Sequence, residues 1–292
     1  MQKDRIQLED ISAVAAGGTG IIKPPRGPRY HDVTLVLGDS AAVDNAAPNV
    51  TDIVGNLKVR YNGEDIWDLD AANLDTINTF ARANMAAQKY AGPAASTGTG
   101  RTHLTFFFAD PTEDTGADRE LLALPTDWLP TAGSLQIYAK FKTGITPVMT
   151  ANATVDYVAL GKPAPVMKWQ EHDSNVSSAS INLVNTLPRT GLISMLSLLN
   201  TSDSKAVSDV QMKLGRVTRW DMPANENTTK NLFNNLNPAA GAYHMVFGAH
   251  NGIVDYFDAS QAGDLSLDVT FASAATGTFT IVSQRYEMPK GF

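Results

Sequence analysis

Apolar and polar residues alternate with a period of two through much of this 292-residue chain, the spacing of strands with one face in a core. Residues 32–37 (DVTLVL), 57–61 (LKVRY), 103–108 (HLTFFF) and 154–160 (TVDYVAL) are rich in branched and aromatic side chains and predict strands. Residues 180–184 (SINLV), 209–214 (DVQMKL) and 279–286 (FTIVSQRY) predict more. Short Gly, Pro, Asn and Asp clusters separate them, as in sandwiches and barrels.

Two stretches change period. Residues 70–88 (DAANLDTINTFARANMAAQ) place Leu74, Ile77, Ala81 and Met85 on one helical face, with Asp70 or Asn73 as N-cap. Residues 227–237 (NTTKNLFNNLN) predict a shorter helix with apolar positions at Leu232, Phe233 and Leu236.

The chain also repeats itself. GSLQIYAKF at 133–141 returns as GDLSLDVTF at 263–271. PPRG returns as LPRTG, with Arg26 and Arg189 in the same place. IWDLDAAN returns as RWDMPAN, pairing Trp67-Asp68 with Trp220-Asp221, and HLTFF at His103 returns as HMVF at His244. The offsets shrink in order: 163 (25 to 188), 153 (67 to 220), 141 (103 to 244) and 130 (133 to 263). A duplicated domain whose second copy has shorter loops gives this series. Each copy then holds about eight short strands with a helix between the fourth and fifth. The expected fold is all-β: two tandem eight-stranded antiparallel jelly rolls, each with a short inserted helix. In the first copy of the phrase, Leu135, Ile137, Ala139 and Phe141 are expected inside, with Ser134, Gln136, Tyr138 and Lys140 outside. The expected division is an N-terminal segment (1–16), a first roll (17–162) and a second roll (163–292), with the linker GKPAP at 161–165.

Composition narrows the partners. The formal net charge is −7 and no basic cluster is present, which argues against direct binding to nucleic acid. Charged residues are 18% of the chain, below the roughly 25% usual for soluble proteins, as if part of the surface is covered by other copies. There is no cysteine, so thiolate chemistry, disulfides and Cys-ligated zinc are excluded. No apolar run reaches the roughly 18 residues of a membrane span, and Glu9 and Asp10 interrupt any signal-peptide reading of the first residues.

The segment AVAAGGTGIIKPPRG (13–27), LPR at 187–189, and the closing Gly291-Phe292 carry a resemblance. With the duplication, the helix placement and the length, the chain resembles the double jelly-roll major capsid proteins of membrane-containing icosahedral phages, nearest the corticovirus type. The resemblance implies no enzyme activity and no cofactor. It implies a homotrimer acting as a pseudo-hexagonal capsomer, contacts with neighbouring capsomers and with vertex and minor capsid proteins, and an internal viral membrane. It places the protein in the virion shell, after synthesis in a bacterial cytoplasm.

Several motifs have competing readings. The Gly-rich runs at 16–23 and 96–102 resemble phosphate loops but lead into strands, so they read as turns. His31, His103, His172, His244 and His250 contain no H-x-H pair of the kind a cupin metal site needs. His103 and His244, as duplicated partners, read as structural. The acidic loop bearing Asp110, Glu113, Asp114 and Asp118 offers oxygen ligands for a structural calcium, or is simply solvated. The Trp-Asp pairs suit either sugar stacking or a Trp plugging a barrel end while the Asp orders the turn into the helix. Lys3, Arg5 and Ile6 belong to a segment that is either a short amphipathic element facing the membrane or a tail ordered by a partner. The alternatives to a coat protein are a tandem jelly-roll protein that binds or cleaves glycans, and a vertex protein of the same particle.

Overall fold

The computed structural model describes residues 3–44, 46–93, 96–109, 122–127, 129, 134–158, 165–176, 181–200, 206–248, 256–261, 264–273 and 277–288. In the first half the strands are β1 (Asp4–Leu8), β2 (Thr19–Ile22), β3 (Arg29–Asp39), β4 (Val54–Tyr61) and β5 (Glu64–Asp70). They continue as β6 (Gln88–Tyr90), β7 (Arg101–Phe107), β8 (Leu124–Pro125), β9 (Leu135–Phe141) and β10 (Pro147–Asp156). Helix α1 (Val50–Ile53) precedes β4, and α2 (Ala71–Ala81) follows β5. The second half has β11 (Val166–Val176), β12 (Asn182–Val184), β13 (Leu192–Asn200), β14 (Val207–Leu214) and β15 (Val217–Pro223). After helix α3 (Ala224–Phe233) come β16 (Ala242–Val246), β17 (Phe257–Asp258), β18 (Leu265–Phe271) and β19 (Gly277–Glu287).

The two halves share one topology. Sheet order β2-β9-β4-β5 in the first half matches β12-β18-β14-β15 in the second. Order β1-β10-β3-β7 matches β11-β19-β13-β16, with β8 on β3 where β17 lies on β13. Each half is therefore a jelly roll built on the same eight strands, with β6 and β8 added in the first half and β17 in the second. Alternation makes the layers: β9 buries Leu135, Ile137, Ala139 and Phe141, and β18 buries Leu265, Leu267, Val269 and Phe271. At the β4–β5 hairpin, Asn62-Gly63 adopt φ of 50° and 80°, the positive values a two-residue turn needs to match strand twist.

Five expectations change. The helix of each roll follows its fifth strand, not its fourth, because the first strands, β1 and β11, had not been read as strands. β1 lies in the segment set apart as 1–16, yet it pairs along its whole length with β10 and opens the first roll. Its five residues are too few, and β11 (VMKWQEHDSNV) too polar at its centre, for alternation to stand out. Helix α2 stops at Ala81, where Arg82 turns extended, so Met85 falls in a 3-10 turn rather than on the helical face. The strand expected over 154–160 ends at Asp156, leaving Tyr157 and Val158 exposed. Helix α3 starts three residues earlier than expected and buries Asn227 and Asn231, whereas Leu232 and Phe233 face solvent and only Leu236 is buried. Most of the linker expected at 161–165 lies outside the described residues.

Candidate functional site

The two rolls meet along a seam in which β5 pairs in parallel with β11, Trp67 opposite Trp169 and Asp68 opposite Gln170. This joins half of each roll into one nine-stranded sheet. Trp67 is buried there, its Nε1 donating to the Met167 carbonyl at 3.1 Å. Its ring lies 5.6 and 5.2 Å from Phe106 and Phe108, and 6.1 Å from Trp169 of the second roll. Trp67 therefore fills the junction between rolls rather than one barrel end.

Helix α2 carries the seam further. Phe80 is fully buried and stacks on His244 of β16 at 3.7 Å between ring centroids. Asn237, just past α3, donates its N–H to the Phe80 carbonyl at 2.7 Å. Glu171 accepts from the Asp70 N–H and from Asn73 Nδ2, both at 2.8 Å, and burial raises its pKa. Lys168, 5% exposed, bonds Glu64 at 2.8 Å and Glu287 at 2.7 Å, so its desolvated charge is compensated from both rolls. A polar cleft of about 340 Å³, lined by Glu64, Asp65, Lys168 and Arg285 among others, opens here.

A second buried cluster closes the end of the first roll. Arg29 grips Asp156 through two bonds of 3.0 and 2.8 Å, and His31 Nε2 lies 2.6 Å from the same carboxylate. Burial opposes ionisation of Asp156, but the bonds from Arg29, the Val158 N–H and His31 hold its pKa down at about 2. Burial lowers the pKa of His31 despite the carboxylate. This is an ion-pair clamp tying β3 to β10 where the chain leaves the roll.

His244 lies wholly inside the protein, its Nδ1 2.8 Å from Ser197 Oγ, and burial pushes its pKa down to about 3. It is not the counterpart of His103. Ser197 pairs with His244 as Thr34 pairs with Thr105. Asn231 donates to the His244 carbonyl at 3.0 Å as Asn78 donates to that of Thr105 at 2.9 Å. Thr105 therefore holds the equivalent place, and His103 is a half-buried residue beside Tyr90. The short histidine echo was out of register by two residues.

Trp220 is buried in the second roll, with Nε1 donating to Tyr243 Oη at 2.9 Å and Lys230 Nζ 4.2 Å above its ring. The paired aspartates do not order the turns into the helices. Asp68 takes a 3.1 Å ion pair from Lys58 and a 3.0 Å bond from Asn56, and Asp221 a 3.2 Å bond from Gln211. Both point sideways onto the neighbouring strand because they face residues in register there. Arg26 reaches across to the Leu129 carbonyl, and Arg189 lies 3.7 Å from an exposed Asp264. Arg5 is exposed and Ile6 half-buried on β1, and Lys3 just before it is exposed. His172 is half-buried, and burial lowers its pKa. Asp110, Glu113, Asp114, Asp118, His250, Gly291 and Phe292 lie outside the described residues. Among the described residues no three His, Cys, Asp or Glu side chains gather for a metal ion, and no helix is long and apolar enough to cross a membrane.

Two rolls of one topology, fused edge to edge, define the double jelly-roll class of proteins. Residues 5–156 match the viral coat protein P2 N-terminal domain and residues 166–289 the viral coat protein P2 C-terminal domain, so the chain belongs to that coat-protein family. The family is structural, not enzymatic, and its place is the virion capsid. The fold is similar to that of the major capsid protein P2 of bacteriophage PM2, with TM-score 0.77, 16% identity and 99% of each chain covered. It is also similar to the PBCV-1 capsid protein (TM-score 0.71, 11% identity, 98% of this chain and 93% of that one). The STIV major capsid protein gives TM-score 0.71 at 13% identity, over 99% and 98% of the two chains. No curated protein matches by sequence.

Reading the sequence missed Trp169, Phe80 and the seam they build. One signal was present: Phe80 and Phe233 stand 153 residues apart, as do Trp67 and Trp220.

Proposed function

We propose that this coat protein forms homotrimeric, pseudo-hexagonal capsomers of an icosahedral virion with an internal lipid membrane. The observation that carries the reading is the repeated sheet order in two fused rolls. Three such chains supply six near-equivalent domains around a three-fold axis, which suits a hexagonal lattice position. The net charge of −7 suits a shell separated from the genome by lipid, with partners limited to other capsomers and to vertex and minor capsid proteins. Pairing with β10 fixes Arg5 and Ile6 on a sheet, so only Lys3 stays in the proposed contact with lipid. No cofactor is part of this function: the loop of Asp110, Glu113, Asp114 and Asp118 is read as solvated, with a calcium ion between subunits as the alternative.

Light scattering on the purified chain tests the reading. The expected mass is three times 31.3 kDa, persisting on dilution, and EDTA shows whether a cation contributes. A stable mass of one or two chains overturns the trimer.

A further inference from the structure

The two rolls treat the free edge of one equivalent strand differently. In the first roll β2 ends the nine-stranded sheet, and residues 10–12 of the same chain close its edge. Ser12 donates its N–H to the Ile21 carbonyl and accepts the Ile21 N–H at Oγ, both at 2.8 Å. Asp10 accepts from the Lys23 N–H at 2.9 Å, and Ile11 bridges Ile22. The counterpart in the second roll is β12, which ends the four-stranded sheet. Ile21 faces Tyr138 and Leu183 faces Asp268, and Tyr138 and Asp268 hold the same place in the repeated phrase. Leu183 therefore stands for Ile21. Its backbone N–H and carbonyl point off the sheet as those of Ile21 do, because the two directions alternate along an antiparallel strand.

Among the described residues no segment covers the edge of β12. Residues 9–18 join β1 to β2, but only residues 177–181 join β11 to β12. So short a connection is too short to cross the roughly 10 Å between facing sheets and then double back along the strand. Ile181 and Leu183, two positions apart on one face, are 65% and 62% exposed. Proteins blunt free edges with charge, proline or cover, yet residues 174–187 contain neither a charged residue nor a proline. Asp268, the carboxylate facing Leu183, is already paired with Lys213.

We propose that β12 pairs antiparallel with β12 of a second copy of this chain, about a two-fold axis at Leu183, joining the two four-stranded sheets into one. Leu183 exchanges both backbone bonds with Leu183 of the second copy, and Ile181 lies opposite Asn185 of the second copy. The Ile181 and Leu183 side chains of both copies then share one face. Neutrality favours this occupant. Two identical strands meet at such an axis, so a charge near it would face its like, and β12 brings none. Main-chain bonds along an added strand supply the affinity. A two-fold contact is isologous and cannot close a ring of three. It therefore goes beyond the trimer reading, on which it rests only in that the units it joins are capsomers.

The chain has no cysteine, so Leu183→Cys reads the contact directly. Facing residues that exchange both bonds have Cα atoms about 5.5 Å apart, within reach of a disulfide. Oxidising the concentrated, folded variant is expected to give covalent dimers and nothing larger on a non-reducing gel. Val43→Cys, at a position 90% exposed on the first roll, is expected to give none. Leu183→Lys sets like charges together at the axis. By light scattering it is expected to keep the native mass in dilute solution and to lose the rise in mass that the native chain shows on concentration. Dimers no more abundant than in Val43→Cys overturn the second copy as occupant, even if Leu183→Lys blocks association. A rise in mass that survives Leu183→Lys overturns the edge itself. The dilute mass tests the trimer and the concentrated mass this contact, so either can fail alone.

Discussion

His244 makes the seam sensitive to acid, by an amount the structure sets. The imidazole is enclosed between Phe80 of the first roll and Ser197 of the second, and burial lowers its pKa from 6.5 to about 3. In the unfolded chain it binds a proton below its ordinary pKa of 6.5, while the folded chain stays neutral there. The unfolded state is therefore favoured progressively as pH falls from 6.5 to about 3, and stability rises with pH through that window. Each unit is worth about 1.36 kcal/mol, so a drop from pH 8 to near pH 4.5 removes roughly 3 kcal/mol through this one group. His244→Gln keeps a polar partner for Ser197 but cannot titrate. Urea unfolding of both proteins at the two pH values, at one fixed protein concentration, isolates the histidine from every other acid-sensitive group. The variant is expected to be the less stable at pH 8, and the gap is expected to shrink or reverse by roughly 3 kcal/mol in acid. A gap of the same size at both pH values refutes the argument that His244 is held neutral in the seam.

Phe80→Ala empties the stack on His244 and is expected to destabilise the chain by about 3–5 kcal/mol, the usual cost of removing a buried aromatic ring. Phe233→Ala, at the exposed counterpart, is expected within about 0.5 kcal/mol when measured on dissociated chains; equal losses in thermal or urea unfolding would contradict the burial difference. Asp156→Asn removes the carboxylate charge that Arg29 and His31 share and is expected to cost about 3–5 kcal/mol at neutral pH. The pKa of Asp156 in the folded chain is depressed to about 2, so the clamp contributes fully above the ordinary carboxylate range and is lost as pH falls toward 2. The variant's deficit should therefore narrow in strong acid by roughly 2 kcal/mol, and a deficit independent of pH would show that the carboxylate is not the charged partner.

Much of the architecture could be read from residue order. The alternation in β9 placed every inward side chain of its phrase, because a strand half in a core must repeat every two residues, and β18 buries the matching positions. The doubled Trp-Asp and Pro-Arg pairs located the second roll, because a duplication keeps its residues in order when loops shorten. The histidine echo misled, since a match of so few residues cannot set a register; the ladder pairs of Ser197 with His244 and Thr34 with Thr105 do. β1 and β11 escaped notice for a related reason. Their exposure pattern depends on which neighbour lies against them, and β11 carries Lys168 and Glu171 inside a seam no local pattern announces.

Alternation and repetition, both local properties of the chain, determined that this protein is built of two like β rolls with a helix in each. Tertiary structure alone decided what those rolls present to the world. Phe80 and Phe233 occupy the same helical position, yet one is sealed and the other bare, because a second roll lies against the first and none within the chain lies against the second. Burial is a relation between surfaces distant in sequence, so no reading along a single strand or helix could supply it.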